Sequence, residues 1–345
     1  MEQHDIVIIG GGFAGLSLAK FLAEKNLDVV LLEEHDGFFR KACGEGVGTH
    51  FKNYDFLDLY GSKKGIEREV QGIEIRTKYG KAFFNAPLFV VDKRQVEEEF
   101  ARQAQRLGAD IRMKEKVRAI IPGDHIMIQP QGISARIVVG ADGVFSLVRK
   151  TMGQDKPSSA VGISGITSTL EREKDRCYLE YDNSVIEYGY TWFFPKKDTW
   201  NIGIGSLHPH GMKDSFHQFK AQYTAAEWKG GYGPISKPLT LSQNNLFLVG
   251  DSGAQIRSTI GAGNLTSIIS AHILAETLGR YAKSNFRTIQ GEDYASTWDR
   301  VLGKVLRREY YITSLMKKLQ TNEYLLHLCI TNLARITSTY ISHQS

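Results

Sequence analysis

Nine residues near the start of the chain, RKACGEGVG at 40–48, set a thiol, Cys43, and a carboxyl, Glu45, among three glycines. Both side chains can hold and release a proton. Glycine at that density lets backbone approach a ligand closely, and it costs conformational entropy that a mere connector avoids. A second cluster, YTWFFP at 190–195, supplies the opposite chemistry. On a strand, Tyr190, Trp192 and Phe194 share one face while Thr191 and Phe193 share the other. One aromatic face ending in Pro195 can wall an apolar channel, or it can serve as sheet core.

The elements that must position these groups begin at the N-terminus. DIVIIGGGFAG, residues 5–15, reads as a buried strand running into Gly10, Gly12 and Gly15 and then into a helical pattern. That spacing permits a tight turn and close passage of a pyrophosphate against the helix N-terminal amides. The next strand, DVVLLEE, ends about 20 residues on in Glu33, with Glu34 as the competing acid, where a carboxylate can accept from a ribose diol. This motif alone does not separate NAD from FAD. Two later strands do: RIVVGADGVFSLVR ends in Asp142 and Gly143, and NLFLVGDSGAQIRSTIGAGN carries Gly250, Asp251, Gly261 and Gly263 before a long helical segment. An Asp at a strand end can bind a polyol while helix amides face an electron-rich ring edge. That combination suits the ribitol and the N1/C2 region of a flavin.

Composition narrows the alternatives. The 345 residues are 42% hydrophobic and 23% charged, ordinary for a globular protein. A net charge of +5, without a basic tract interleaved with aromatics, sets nucleic acid aside. Three scattered cysteines predict reduced thiols, neither a disulfide framework nor a metal site. There is no secretory leader pattern and no apolar run approaching the roughly 18 residues that span a bilayer, so a cytoplasmic protein is expected.

The ordered cofactor motifs resemble those of FAD-dependent oxidoreductases of the para-hydroxybenzoate hydroxylase fold, over roughly residues 3–280. Gly10, Gly12, Gly15 and Glu33 match the AMP-side fingerprint, Asp142 and Gly143 the internal D-G motif, and Gly250 with Asp251 the ribitol-contacting G-D motif. In VDKRQVEEEFARQAQRLGADI, Arg94 falls where the family's Arg commonly contacts the cofactor. Lys41, Cys43, Gly44 and Gly46 resemble the K-x-C-G segment of the geranylgeranyl reductase family, and YTWFFP resembles that family's Y-x-W-x-F-P motif of the lipid-binding cavity. The resemblance implies saturation of prenyl double bonds, with hydride from reduced flavin and a proton from an active-site acid. Cys43, Glu45 and Tyr190 are the candidate acids. Tyr190, Trp192, Phe194 and Pro195 are the expected substrate wall, whose aromatic faces would stabilise positive charge on a tertiary carbon.

The fold expected is α/β: a Rossmann-like FAD-binding domain (1–50, 90–155 and 240–290), an inserted antiparallel-sheet substrate domain (51–89 and 156–239), and C-terminal helices over 291–345. In the tail, Val301, Val305, Tyr310, Leu315 and Leu319 read as the apolar face and Lys304, Arg307, Arg308, Lys317 and Lys318 as the basic one, suited to peripheral contact with a membrane surface. No second G-x-G-x-x-G exists, so NAD(P)H would bind transiently or an electron-donor protein would serve. Ser258 stands where the family usually has Pro, and Asn264 follows Gly263, two departures in the flavin-proximal loop. The rival readings are an FAD-dependent monooxygenase of a small aromatic or isoprenoid substrate and a non-catalytic flavin electron relay.

Overall fold

The computed structural model describes residues 2–286 and 290–341. Met1, residues 287–289 of the expected FAD-binding unit and residues 342–345 of the expected tail lie outside the described residues. The strand Glu2–Ile9 sits at the middle of a mostly parallel sheet because it is apolar on both faces: Ile6, Val7, Ile8 and Ile9 are all buried. It pairs in parallel with Ile133–Gly140 on one side and Val29–Glu33 on the other. Leu246–Leu248 and Asp110–Met113 extend the sheet outward, again in parallel. The two glycine-Asp strand ends and the glycine turn therefore open at the same edge.

The helix Phe13–Ala23 is buried along its whole length, between the sheet and the helices Lys93–Arg106 and Asn264–Ala282. Its two polar side chains are satisfied within that cover, Ser17 by the Phe13 carbonyl and Lys20 by the Leu59 carbonyl. In Lys93–Arg106, Asp92 caps the start by accepting from the Gln95 amide at 3.1 Å, and Val96, Phe100 and Ala104 point inward. Gly108, at φ +100°, lets the chain turn away afterwards.

The second sheet has eight strands in the order Ala226–Pro234, Ser159–Thr167, Trp200–Ser206, Gly189–Pro195, Cys177–Tyr181, Ile66–Thr77, Gly80–Val91 and Gly46–Gly48. All neighbours are antiparallel except Cys177–Tyr181 with Ile66–Thr77. The glycine-rich loop thus ends as the edge strand of this sheet, so it joins the two halves of the molecule. One segment read from sequence as strand-rich also holds a helix, Met212–Gln222, whose Met212 and Phe219 pack on Phe193 and Trp200.

The C-terminal helices Lys304–Leu319 and Glu323–Ile341 cover the second sheet, with Met316, Leu326 and Ile330 in one cluster with Ile73, Leu88 and Trp192. The buried face of the first is Leu306, Glu309, Thr313 and Met316, whereas Leu315, read from sequence as part of the apolar face, is 49% exposed. The expected face was misplaced because two of the inward positions are polar, and hydrophobicity alone cannot find them. No helix among the described residues is long and apolar enough to cross a membrane.

The Trp192 indole lies flat over the neighbouring strands where glycines leave room. A Cβ at Gly203 would come within 2.1 Å of the indole Cζ2, and one at Gly205 within 3.4 Å of Cζ3. Gly203→Ala should therefore displace the ring and lower stability by about 1–3 kcal/mol. An unchanged urea midpoint would show that the ring is free to yield.

Candidate functional site

A cavity of about 980 Å³ runs from the glycine turn, past Asp251 and the start of the helix Asn264–Ala282, to the aromatic face of the second sheet. At its first end the glycines have distinct duties. Gly10 is at φ +106° against Ala141, and a Cβ at Gly15 would strike the Gly10 carbonyl oxygen at 1.9 Å. Gly12 faces open space in the cavity wall, which is the clearance a pyrophosphate needs. Glu33 is buried beneath the turn and accepts from the Gly11 amide at 2.6 Å and the His35 amide at 2.9 Å. Glu34 instead pairs with Lys116 at the surface.

Asp142 lines the cavity with one oxygen accepting from the Leu147 amide at 2.7 Å and the other, Oδ1, buried without a protein partner. Burial pushes its carboxyl above the ordinary Asp range. An unpartnered acceptor here, an open glycine cradle and a helix N-terminus fit FAD. Gly143, at φ +72°, follows directly. Gly250, at φ +69°, packs on Ala14 and Ser267 and holds Asp251 at the helix entrance, where Asp251 receives the Lys41 ammonium at 2.5 Å. Gly261 and Gly263 also line the cavity, each next to a site group: Gly261 near the Tyr190 hydroxyl, Gly263 near Asp251.

Arg94 is exposed and does not line the cavity; its neighbour Lys93 is buried and does. Adjacent positions at a helix start point about 100° apart, and the inward one continues the buried face through Val96, Glu97 and Phe100. The Lys93 ammonium lies 4.3 Å from the Phe13 ring centroid and 3.4 Å from Glu97. Burial pulls its pKa down, but Glu97, Cys43 and Asp251 outweigh that and hold it above the ordinary lysine value.

The opening loop is fixed, not free. Glu45 is 1% exposed at φ +62°, and its carboxylate accepts from the Lys93 amide (2.9 Å), the Lys196 ammonium (2.9 Å) and Asn201 Nδ2 (2.8 Å). Asn201 also donates to the Cys43 carbonyl at 2.8 Å and accepts from Trp192 Nε1 at 2.9 Å. Gly44 and Gly46 lie against Phe194: a Cβ at Gly46 would approach that ring within 2.8 Å. Cys43 therefore stands between the aromatic face and Asn264, whose Nδ2 lies 3.6 Å from Sγ.

Tyr190, Trp192 and Phe194 all line the cavity, joined by Tyr181, whose ring centroid is 5.4 Å from that of Tyr190. Pro195 does not: it is buried on the opposite strand face, one residue out of the alternation. The Tyr190 hydroxyl donates to the Ile260 carbonyl at 2.8 Å, and burial pushes its phenol far above the ordinary value. Ile260 belongs to the loop that departs from the expected proline pattern. The tail secures it: Arg257 and Thr259 donate to Glu309, at 2.8 and 3.1 Å, and Thr313 donates to Ser258 at 3.1 Å.

Lys93, Lys196, Asn201 and Glu309 carried no spacing signal in the sequence. Lys196→Met should strand the buried Glu45 carboxylate and cost about 3–5 kcal/mol. Adding Glu45→Gln should recover part of that loss in a double-mutant cycle, and strict additivity in urea unfolding would exclude the pairing.

The model of the FAD binding domain matches residues 3–230. A digeranylgeranylglycerophospholipid reductase of Methanosarcina acetivorans is 26% identical over 345 residues, covering 88% of this chain and 82% of that protein. A digeranylgeranylglycerophospholipid reductase 1 of Methanococcoides burtonii is 27% identical over 296 residues, covering 76% and 71%. Among solved structures, a geranylgeranyl bacteriochlorophyll reductase-like protein of Thermoplasma acidophilum shares the fold at a TM-score of 0.80, with 20% identity and 98% and 92% coverage. With a glycine cradle, two strand-end aspartates and these relatives in hand, the chain belongs to the FAD binding domain family of flavin-dependent oxidoreductases, and within it resembles the geranylgeranyl-type reductases.

Proposed function

We propose that this protein saturates carbon-carbon double bonds of a prenyl, geranylgeranyl-type lipid. Bound FAD, reduced by NAD(P)H or a donor protein, supplies the hydride from N5. The chain's own residues supply the rest. An isolated trisubstituted alkene accepts hydride poorly until it is being protonated, so an acid must stand at the junction of flavin and lipid. The observation that carries the reading is one continuous cavity with Cys43 between the Asp251–Asn264 end and the Tyr190–Trp192–Phe194 wall.

Three candidate acids reduce to one on their hydrogen bonds. Glu45 has its oxygens taken up by the Lys196 ammonium, Asn201 and the Lys93 amide, all groups of the protein itself. Tyr190 commits its proton to a backbone carbonyl. The Cys43 thiol lines the cavity with its hydrogen uncommitted to any of the contacts its sulfur accepts. We assign Cys43 as the proton donor, Glu45 as the anchor of its loop, and Tyr190, Trp192, Phe194 and Tyr181 as faces for the lipid chain and its developing positive charge.

A lipid substrate arrives from a membrane surface. Tyr311, Leu315, Leu325 and Leu328 are exposed on the C-terminal helices beside exposed Lys304, Arg308, Lys317 and Lys318, which suits an anionic bilayer. Leu315→Glu combined with Lys318→Glu should abolish co-sedimentation with phosphatidylglycerol vesicles; equal sedimentation would remove the tail from the reading.

The reaction itself is tested by photoreducing the flavin-loaded protein without oxygen, adding a geranylgeranyl lipid, and following reoxidation and product mass. A gain of two hydrogens per double bond is expected, with Cys43→Ser slower by about 100-fold at unchanged flavin content. Reaction only on admitting air, with a gain of one oxygen, would mean a monooxygenase. No turnover in either condition would favour an electron relay.

A further inference from the structure

Asn264, a departure from the family pattern, touches three groups at once. Its Nδ2 donates to the Gly46 carbonyl at 2.8 Å and lies 3.6 Å from Cys43 Sγ, while its Oδ1 accepts from the Lys93 ammonium at 3.3 Å. These neighbours fix the amide's orientation. Turned over, Oδ1 would face the Gly46 carbonyl oxygen and the NH₂ would face an ammonium, leaving like dipoles opposed on both sides. Lys93 is itself immobilised, with a side chain 6% exposed between Glu97 and the Phe13 ring. A cation pulling on the amide oxygen strengthens the hydrogen bonds that the N–H groups at the other end of the same group donate.

We propose that Lys93 and Asn264 are positioning residues that stabilise the thiolate left on Cys43 when its proton is transferred. The inference rests on the prenyl reductase reading for its purpose but not for its test. In the step, the Cys43 S–H bond breaks, its proton forms the new C–H bond, and the electron pair stays on sulfur, facing the polarised N–H of Asn264. Water then returns a proton to the thiolate. Charged or titratable groups that line the same cavity include Lys41 and Glu45 on the loop of Cys43 itself, Glu97, Asp251 and Tyr190. Lys41 is held by Asp251, whereas Lys93 is joined to the sulfur through a single amide.

The test is the rate at which iodoacetamide alkylates Cys43 in the flavin-loaded protein as a function of pH, read as the mass of the Cys43 peptide. Only the thiolate reacts. Lys93→Met and Asn264→Leu should each slow alkylation about tenfold at pH 7, Lys93→Arg should stay near wild type, and all should converge at high pH where every thiol is ionised. Equal rates at pH 7 would overturn the assignment, as would a deficit that persists at high pH, which reports access and not thiolate stability. If Lys93→Met loses flavin, Asn264→Leu carries the decision, because it breaks the link without stranding Glu97. Wild-type protein that shows this thiol behaviour yet reduces no prenyl lipid would sink the reductase reading alone.

Discussion

The buried carboxylate of Glu45 is the constraint on which the rest of the site depends. A charge placed in a 1% exposed position must be matched, and Lys196, Asn201 and the Lys93 amide match it from three separate elements. Lys196 comes from the end of the aromatic strand, Asn201 from the next strand, and Lys93 from the first turn of a helix in the other half of the molecule. Satisfying one anion therefore ties the second sheet to the half of the molecule that carries the glycine turn. It also fixes Cys43, two residues away, by a left-handed backbone turn at Glu45 that a non-glycine residue holds only when its surroundings insist.

The aromatic wall follows from a second constraint, the shape of an indole. Trp192 lies flat because Gly203, Gly205 and Gly162 leave a trough across three strands, and its Nε1 finds Asn201, the residue that also holds Glu45 and the Cys43 carbonyl. Packing and polar satisfaction thus converge on one side chain. A smaller residue at 192 would open the cavity, and a larger one at 203 would fill it.

Much of this was legible in the sequence where a local rule has a local cause. Gly10, Gly12 and Gly15 need only a strand, a turn and a helix to be read, and Gly250 with Asp251 needs a strand end; the period of two put Tyr190, Trp192 and Phe194 together. Where the reading slipped, it slipped by one position or onto a polar face. Lys93, not Arg94, faces the cavity, because it continues the buried face of its helix through Val96, Glu97 and Phe100. Pro195 falls on the far side of the alternation its own motif set up. Lys196 and Asn201 could not be found at all: their role exists only once strands distant in sequence are paired.

The tail shows the same limit and turns it into an argument about the loop. Glu309 and Thr313 are polar residues on the inward face of a helix, which hydrophobic patterning assigns to solvent, yet in the flavin-proximal loop Arg257 and Thr259 donate to Glu309 and Ser258 accepts from Thr313. A proline in that loop would fix its backbone through a rigid ring; with Ser258 there, the loop is fixed from outside by a helix. The Ile260 carbonyl that this helix steadies is the acceptor for Tyr190, so the position of the aromatic wall depends on residues more than a hundred positions further along the chain. The ion pair of Arg257 with the buried Glu309 is the charged part of that bracing.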